Sequence, residues 1–221
     1  YWGIQDRDSV EKTLGIGLAA SVLISLPFTI GALFFPEQLM RIFASDPVLI
    51  EDGAAYLRVV GISYFLLSIS QIYLCILKNC GHAVESAVIS SVSVVINIFL
   101  NAAFIFGIGF FPEMGIAGAA LATVLSKVIE LFWGLSVMLK KDYIKIRLRY
   151  AFVQDKTLRS DFWKYTLPIL GDELVWGVGF TMYSVIMGHM GSDAAAANSI
   201  ANIIKNLVIC FCTGIATAGG I

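Results

Sequence analysis

Thr13-Leu14-Gly15-Ile16-Gly17-Leu18-Ala19-Ala20-Ser21-Val22-Leu23-Ile24-Ser25-Leu26-Pro27-Phe28-Thr29-Ile30-Gly31-Ala32-Leu33-Phe34-Phe35 runs without a single charged side chain. A hydrocarbon core of ~30 Å needs ~20 apolar residues at ~1.5 Å rise each, and this stretch supplies them. Strands of a membrane barrel would be ~10 residues long with strict alternation of apolar and polar positions, and the stretch shows no alternation. It therefore reads as a membrane-spanning α-helix. Pro27 lies inside it and predicts a kink, because proline cannot donate the backbone hydrogen bond of its turn.

Five further runs are of similar length and predominantly apolar, the last three carrying a few charges. They are Val59 to Leu77, bounded by Arg58 and Lys78; Ser86 to about Phe106; Met114 to Leu139; a span starting near Pro168, or a turn or two earlier, and ending near Gly188; and one from Ala194 to or past the last residue. Of the 221 residues, 58% are hydrophobic and only 14% charged, and mean hydropathy is +0.83. One soluble core of this size could not bury so much apolar surface. The expected fold class is all-α, a polytopic membrane protein with six transmembrane helices. The chain lacks an initiator Met and a signal-peptide pattern, opening in the polar Tyr1–Asp8 and closing in an apolar run, so an internal fragment is expected. The net charge of −1 and the absence of a basic arm give no reason to expect nucleic acid as a partner. Membrane lipid is expected instead.

Lys and Arg set the orientation. Six spans put residues 1–12, 78–85 and 140–164 on one side. That side carries Arg7, Lys12, Lys78, Lys140, Lys141, Lys145, Arg147, Arg149, Lys156, Arg159 and Lys164; the other carries only Arg41 and Arg58. The first side is expected to be cytoplasmic, in a multi-pass protein of the plasma membrane. Residues 140–163 form the longest charged connection and mark a boundary between a unit at 1–139 and another at 164–221. Tyr143, Ile144, Ile146, Leu148 and Tyr150 alternate in part, which suggests an amphipathic segment resting on the membrane surface.

Polar residues inside spans need protein or a wet cavity to face, since a mid-bilayer charge costs ~2.5–3.5 kcal/mol on insertion scales. Three stripes recur at helical spacing: Tyr64, Ser68, Gln71, Cys75 and Lys78; Ser86, Ser90, Ser93, Asn97 and Asn101; Asn198, Asn202, Lys205 and Cys212. The serines read as hydrogen-bonding contacts between helices, worth ~0.6–2 kcal/mol each. Gln71, Asn97 and Asn101 fit either that role or the lining of a cavity. Lys127 and Glu130 lie three apart on one helical face, either as a self-neutralised pair or as a charged wall of a substrate path. Gly115, Gly118, Ala119, Ala122 and Ser126 suit close helix packing. Asp172 and Glu173 follow Pro168 closely. They are either helix-start residues favoured by the dipole or carboxylates that bind and release H⁺ or Na⁺. Counting across the His189–Asp193 turn puts Lys205 level with Val178, within reach of Glu173, so a Glu173–Lys205 pair is expected.

No phosphate loop, dinucleotide fingerprint, paired-His metal motif or nucleophile elbow is present, and an enzyme is not expected. Gly115-Ile116-Ala117-Gly118 opens a span and follows no strand, so it fails the context of a phosphate loop. Cys75, Cys80, Cys210 and Cys212 lack zinc spacing and read as free, buried, small hydrophobes. His82 and His189 read as surface histidines. A membrane-embedded enzyme would need a clustered catalytic set, and a passive scaffold would not need polar stripes. An ion gradient is the energy source that suits these residues, with no cofactor beyond the coupling ion.

Several stretches resemble the multidrug and toxic compound extrusion (MATE) family. Tyr1-Trp2-Gly3 is similar to the aromatic-Gly end of the family's second helix, there preceded by Gln. Leu77-Lys78-Asn79-Cys80-Gly81-His82 followed by Val95-Ile96-Asn97-Ile98-Phe99-Leu100-Asn101 resembles the fourth-to-fifth helix region. Met114-Gly115-Ile116-Ala117-Gly118-Ala119-Ala120-Leu121-Ala122-Thr123 is similar to the start of the sixth. Gly188-His189-Met190-Gly191 with Ala195-Ala196-Ala197-Asn198-Ser199-Ile200 resembles the seventh-to-eighth turn, and Gly214-Ile215-Ala216-Thr217-Ala218 the segment before the next aromatic-Gly motif. The resemblance covers essentially the whole chain. It implies twelve helices in two six-helix lobes, of which residues 1–139 would hold the third to sixth, and 164–221 the seventh and eighth. It also implies efflux of amphiphilic or cationic compounds driven by H⁺ or Na⁺, with alternating access around a central cavity. The remaining helices would be partners outside this chain. Some members use an acid in the seventh helix, where Asp172 and Glu173 lie, and Na⁺ at Glu173 would be its counterpart here. A lipid-linked-substrate flippase of the related superfamily is the alternative; it would want a basic cavity, for which Lys127 and Lys205 are the candidates.

Overall fold

The computed structural model describes residues 2–4, 6–108, 111–139, 144, 150 and 156–219. After a short 3-10 turn at Trp2–Ile4, seven α-helices follow: α1 (Arg7–Phe34), α2 (Pro36–Phe43), α3 (Pro47–Asn79), α4 (Ala83–Phe106), α5 (Gly115–Met138), α6 (Lys156–His189) and α7 (Ser192–Gly219). Six of them are long and apolar enough to cross a membrane, as expected, and together they make about half of the twelve-helix fold that the resemblance implies.

Local chemistry explains where the helices begin and end. The Asp6 side chain accepts from the Ser9 amide at 3.1 Å and caps α1; hydrogen bonding from Ser9 holds the Asp6 carboxyl below its ordinary value. Asp46 caps α3 through the Val48 amide at 2.9 Å, with Pro47 in the first turn, where a missing N–H costs nothing. That start lies twelve residues before the expected Val59. Hydropathy marks the lipid-buried part of a helix, whereas the cap marks its end, and at ~50 Å α3 is longer than the hydrocarbon core is thick. α4 stops at Gly107, which adopts φ +64°, a conformation glycine takes without penalty. Pro27 is accommodated inside α1.

α2 was not expected from hydropathy. It is a short helix whose apolar Leu39, Met40 and Phe43 share a wall with α3 residues, and whose Glu37 pairs with Arg58 at 3.2 Å. α6 starts at Lys156, about three turns before Pro168, so residues 156–163 of the expected linker are helical. Most of the expected surface-lying segment, including Tyr143, Ile146 and Leu148, lies outside the described residues. Two of its members are placed. Ile144 is buried in the core, its carbonyl accepting from the Tyr73 hydroxyl at 3.4 Å, and the Tyr150 hydroxyl donates to Asp8 at 2.8 Å.

α3 is the centre of the packing, with α1 on one side and α5 on the other, and α4 lies chiefly on α5. The core gathers at the lysine-rich end, where Val10, Leu14, Leu18, Tyr73, Leu74, Leu77, Ile89 and Val137 meet. Small residues bring the helices close: a Cβ on Gly118 would stand 2.7 Å from the Phe104 carbonyl oxygen, and one on Gly61 2.9 Å from Ala32 Cβ. Serines tie the same seams. Ser21 donates to the Ser68 carbonyl at 3.1 Å, and Ser86 to the Leu74 carbonyl at 3.0 Å. The outer surface is apolar, with Leu23, Phe28, Phe99 and Phe132 each about two-thirds exposed or more; in water this would be untenable, in lipid it is the expected solvent face. All four cysteines are free, but only Cys80 is buried; Cys75, Cys210 and Cys212 are exposed, which corrects the expectation that all four are buried. The reason is position: Cys80 closes α3 inside the core, while α7 has little protein packed on it.

α6 and α7 form an antiparallel pair that meets α1 and α2 at its margins. No residue in their apolar windows is buried. Close packing at Gly118 leads us to expect that Gly118→Val lowers stability by ~1–3 kcal/mol through overpacking against Phe104, whereas Gly171→Ala, where a Cβ meets nothing within 4 Å, leaves it unchanged or slightly raised. Thermal unfolding of the full-length protein in detergent measures both.

Candidate functional site

The residues singled out from the sequence fall into four places. The first is a buried ionic cluster where α3 meets α5. Glu130 is 1% exposed in the middle of the bundle. Its Oε2 receives Lys127 Nζ at 2.8 Å, and its Oε1 accepts from Ser70 Oγ at 3.0 Å and Gln71 Nε2 at 3.4 Å. A lone carboxylate in such surroundings would be prohibitive; two neutral donors and one cation make it tenable. The i, i+3 spacing puts Lys127 beside Glu130, and the α3 stripe delivers Gln71 from across the seam. Ser70, one residue off that stripe, was missed because a serine carries little weight until its partner is known.

The second place lies one helical step away on α5. Asn101 Nδ2 donates to Asn97 Oδ1 at 2.9 Å, Asn97 Nδ2 donates to Ser126 Oγ at 3.2 Å, and Ser93 Oγ donates to the Ser126 carbonyl at 3.1 Å. Ser126 and Glu130 lie one helical turn apart, so polar groups of α4 and α3 converge on successive turns of α5.

The third is a cleft of about 500 Å³ between α6 and α7, lined by Trp176, Phe180, Tyr183, Asn198, Asn202 and Lys205 among others. Asn202 Nδ2 donates to Asn198 Oδ1 at 3.2 Å. Trp176 stacks on Phe180, with ring centroids 5.7 Å apart, and Lys205 Nζ lies 5.0 Å from the centre of the Phe180 ring. Lys205 thus rests on an aromatic face.

Asp172 and Glu173 are the fourth. Both are exposed on α6, and among the described residues neither takes part in an ion pair. The structure therefore does not contain the expected Glu173–Lys205 pair. Phe180 lies two turns further along α6 than Glu173, and the Lys205 head group has followed it.

A further cavity is one that the stripes mark only at Tyr64. It measures about 940 Å³ and lies between α1–α3 and the ends of α6 and α7, at the end of the molecule opposite the lysine-rich side. Phe28, Phe43, Tyr56, Tyr64 and Thr181 contribute to its wall. At its margin α2 and α6 meet backbone to backbone: a Cβ on Gly188 would overlap the Phe43 carbonyl oxygen. Of these residues, sequence analysis placed only Tyr64 on a polar stripe. The rest are aromatic or small and become a site only when α1, α2, α3 and α6 are brought together.

The ionic cluster makes a clear energetic prediction. Lys127→Met leaves Glu130 buried without its cation and should cost ~3–5 kcal/mol, with the double variant Lys127→Met/Glu130→Gln recovering most of that loss. A thermal-unfolding double-mutant cycle in detergent checks it; additive losses would show that the pair does not act as a unit.

Comparison with known proteins places these features in a family. Residues 1–103 match the MatE family profile. The chain is 30% identical over 209 residues to a probable multidrug resistance protein NorM of Mesorhizobium japonicum, covering 90% of this chain and 43% of the relative. It is 23% identical over 215 residues to an uncharacterized transporter, YisQ, of Bacillus subtilis, covering 97% and 47%. Among solved structures, a MATE transporter in the bent conformation superposes with TM-score 0.65 at 22% identity, over 90% of this chain and 49% of that one. A MOP superfamily transporter from Pyrococcus furiosus, described as having a binding pocket of reversed polarity, gives 0.66 at 24%, over 91% and 49%. The chain spans about half the length of the curated relatives it matches. The ordered motifs, the six spans and these matches agree, and together they support a MATE family transporter of which this chain is a part.

Proposed function

We propose that this chain forms part of an ion-coupled antiporter that exports amphiphilic, often cationic compounds across the plasma membrane by alternating access. The observation that carries the reading is the cavity of about 940 Å³ between α1–α3 and α6–α7. Its volume is that of a drug-sized binding site, its wall is aromatic and aliphatic, and it lies between two groups of helices able to rock against each other. Relatives described as multidrug resistance and multidrug export proteins support the same activity.

In this reading, residues 1–12, 78–85 and 140–164 face the cytoplasm, and residues 1–139 and 164–221 belong to two lobes joined by 140–163. The remaining helices of the transporter complete the path. The coupling ion is H⁺ or Na⁺. Asp172 and Glu173 are the exposed carboxylates on α6 that would exchange it, with Glu173 the position for Na⁺. Asn198, Asn202 and Lys205 line the neighbouring cleft, while Gln71, Asn97, Asn101, Lys127 and Glu130 form the polar spine of the first lobe. A flippase for a lipid-linked pyrophosphate would need cations in the large cavity, and among the described residues none that lines it is Lys or Arg.

The experiment is dye efflux by the full-length transporter in vesicles under an imposed Na⁺ or H⁺ gradient. One of the two gradients should drive export, and Glu173→Gln should reduce the gradient-driven rate at least tenfold while leaving dye binding in place. Export that ignores both gradients would refute ion coupling, and an unchanged rate in Glu173→Gln would remove that residue from it. Titrating antiport against pH in Lys205→Met tests whether Lys205 influences the exchange; a profile identical to the parent would exclude it.

A further inference from the structure

The large cavity has one charged residue in its wall. Asp52, on the second turn of α3, lines it together with Phe28, Phe43, Tyr56 and Tyr64. Four other charged residues near this end, Glu37, Arg41, Glu51 and Arg58, line a separate cleft of about 590 Å³, in which Arg58 pairs with Glu37 at 3.2 Å. Neither cation available on this side neutralises Asp52, and among the described residues Asp52 takes part in no ion pair. The Asp52 carboxyl group thus stands beside an apolar, aromatic wall, and no Lys or Arg is among the described residues that line it.

We infer that Asp52 is a specificity-determining residue of this cavity, recognising the head of a monocationic amphiphile such as a lipophilic ammonium. The inference rests on the transport reading above and adds the residue that selects charge. The apolar body of such a compound would lie against Phe28, Phe43 and the tyrosines, whose ring faces also attract a cation, while the ammonium is drawn to the carboxylate. A neutral compound of the same shape gains only the apolar contact, and an anion is repelled. Because Asp52 is exposed, the pairing is screened and weak. That suits a station that must let its cargo go, and the cavity lies at the end opposite the lysine-rich side, where the proposed export would release it.

The test uses the full-length transporter in vesicles, with a quaternary-ammonium dye and a neutral dye of similar size and hydrophobicity. Asp52→Asn preserves shape at an exposed position, so the protein should fold as the parent does. The KM for the cationic dye should rise roughly fivefold, in line with the loss of one screened charge pair. The KM for the neutral dye should stay at the parent value, and Asp52→Glu should restore cation transport. Equal effects on both dyes, or no effect on either, would overturn the assignment of Asp52. A parent transporter that moves neither dye under any gradient would overturn the transport reading itself, an outcome distinct from the first two.

Discussion

Inside a hydrocarbon layer every polar group must find a partner within the protein, and in this chain that demand is met chiefly along α5. Glu130 takes a cation and two further donors, and Ser126 takes an amide from Asn97 and, through its carbonyl, the Ser93 hydroxyl. Because Ser70 and Gln71 come from α3 while Asn97 and Ser93 come from α4, the same residues that solve the solvation problem also tie both helices to α5. The small residues at Gly118 and Gly134 then allow the backbones to approach closely enough for those bonds to close. Polar satisfaction and close packing are therefore one arrangement, and neither survives loss of the other.

The α6–α7 pair stands in contrast. Its apolar windows have no buried residue, its cleft holds asparagines and a lysine over an aromatic ring, and its contacts with the rest run through α1 and α2. The cavity of about 940 Å³ lies along the junction of this pair with the first three helices. α2 contributes to it in a way its length does not suggest. The helix seats Met40 against Gly53 of α3 and Phe43 against Gly188 of α6, so two glycines let one short amphipathic element touch both sides.

Two lysines within apolar spans illustrate how the same residue type meets different ends. Lys127 has a carboxylate one turn away on its own helix and makes an ion pair of 2.8 Å. Lys205 has no acid at that spacing and lies over Phe180 instead. In both cases the long apolar stem spans the low-dielectric region and the head group takes the nearest group able to stabilise charge.

Much of the fold was legible without coordinates. Uncharged runs of about twenty residues required spans, and their number and order followed from counting. The Lys127–Glu130 pair was legible as well, because i, i+3 spacing is a property of one helix. The start of α3 was written in Asp46-Pro47, a cap that hydropathy does not register. What tertiary structure alone decided concerns contacts between helices: that Gln71 and Ser70 reach Glu130, that Lys205 turns to Phe180 and not to Glu173, and that Asp52 shares a cavity wall with Phe28 and Thr181. Periodicity tells which residues share a face of one helix, but the rotation and depth of one helix against another depend on side-chain shapes along the whole seam. Those shapes act together only once the chain has folded.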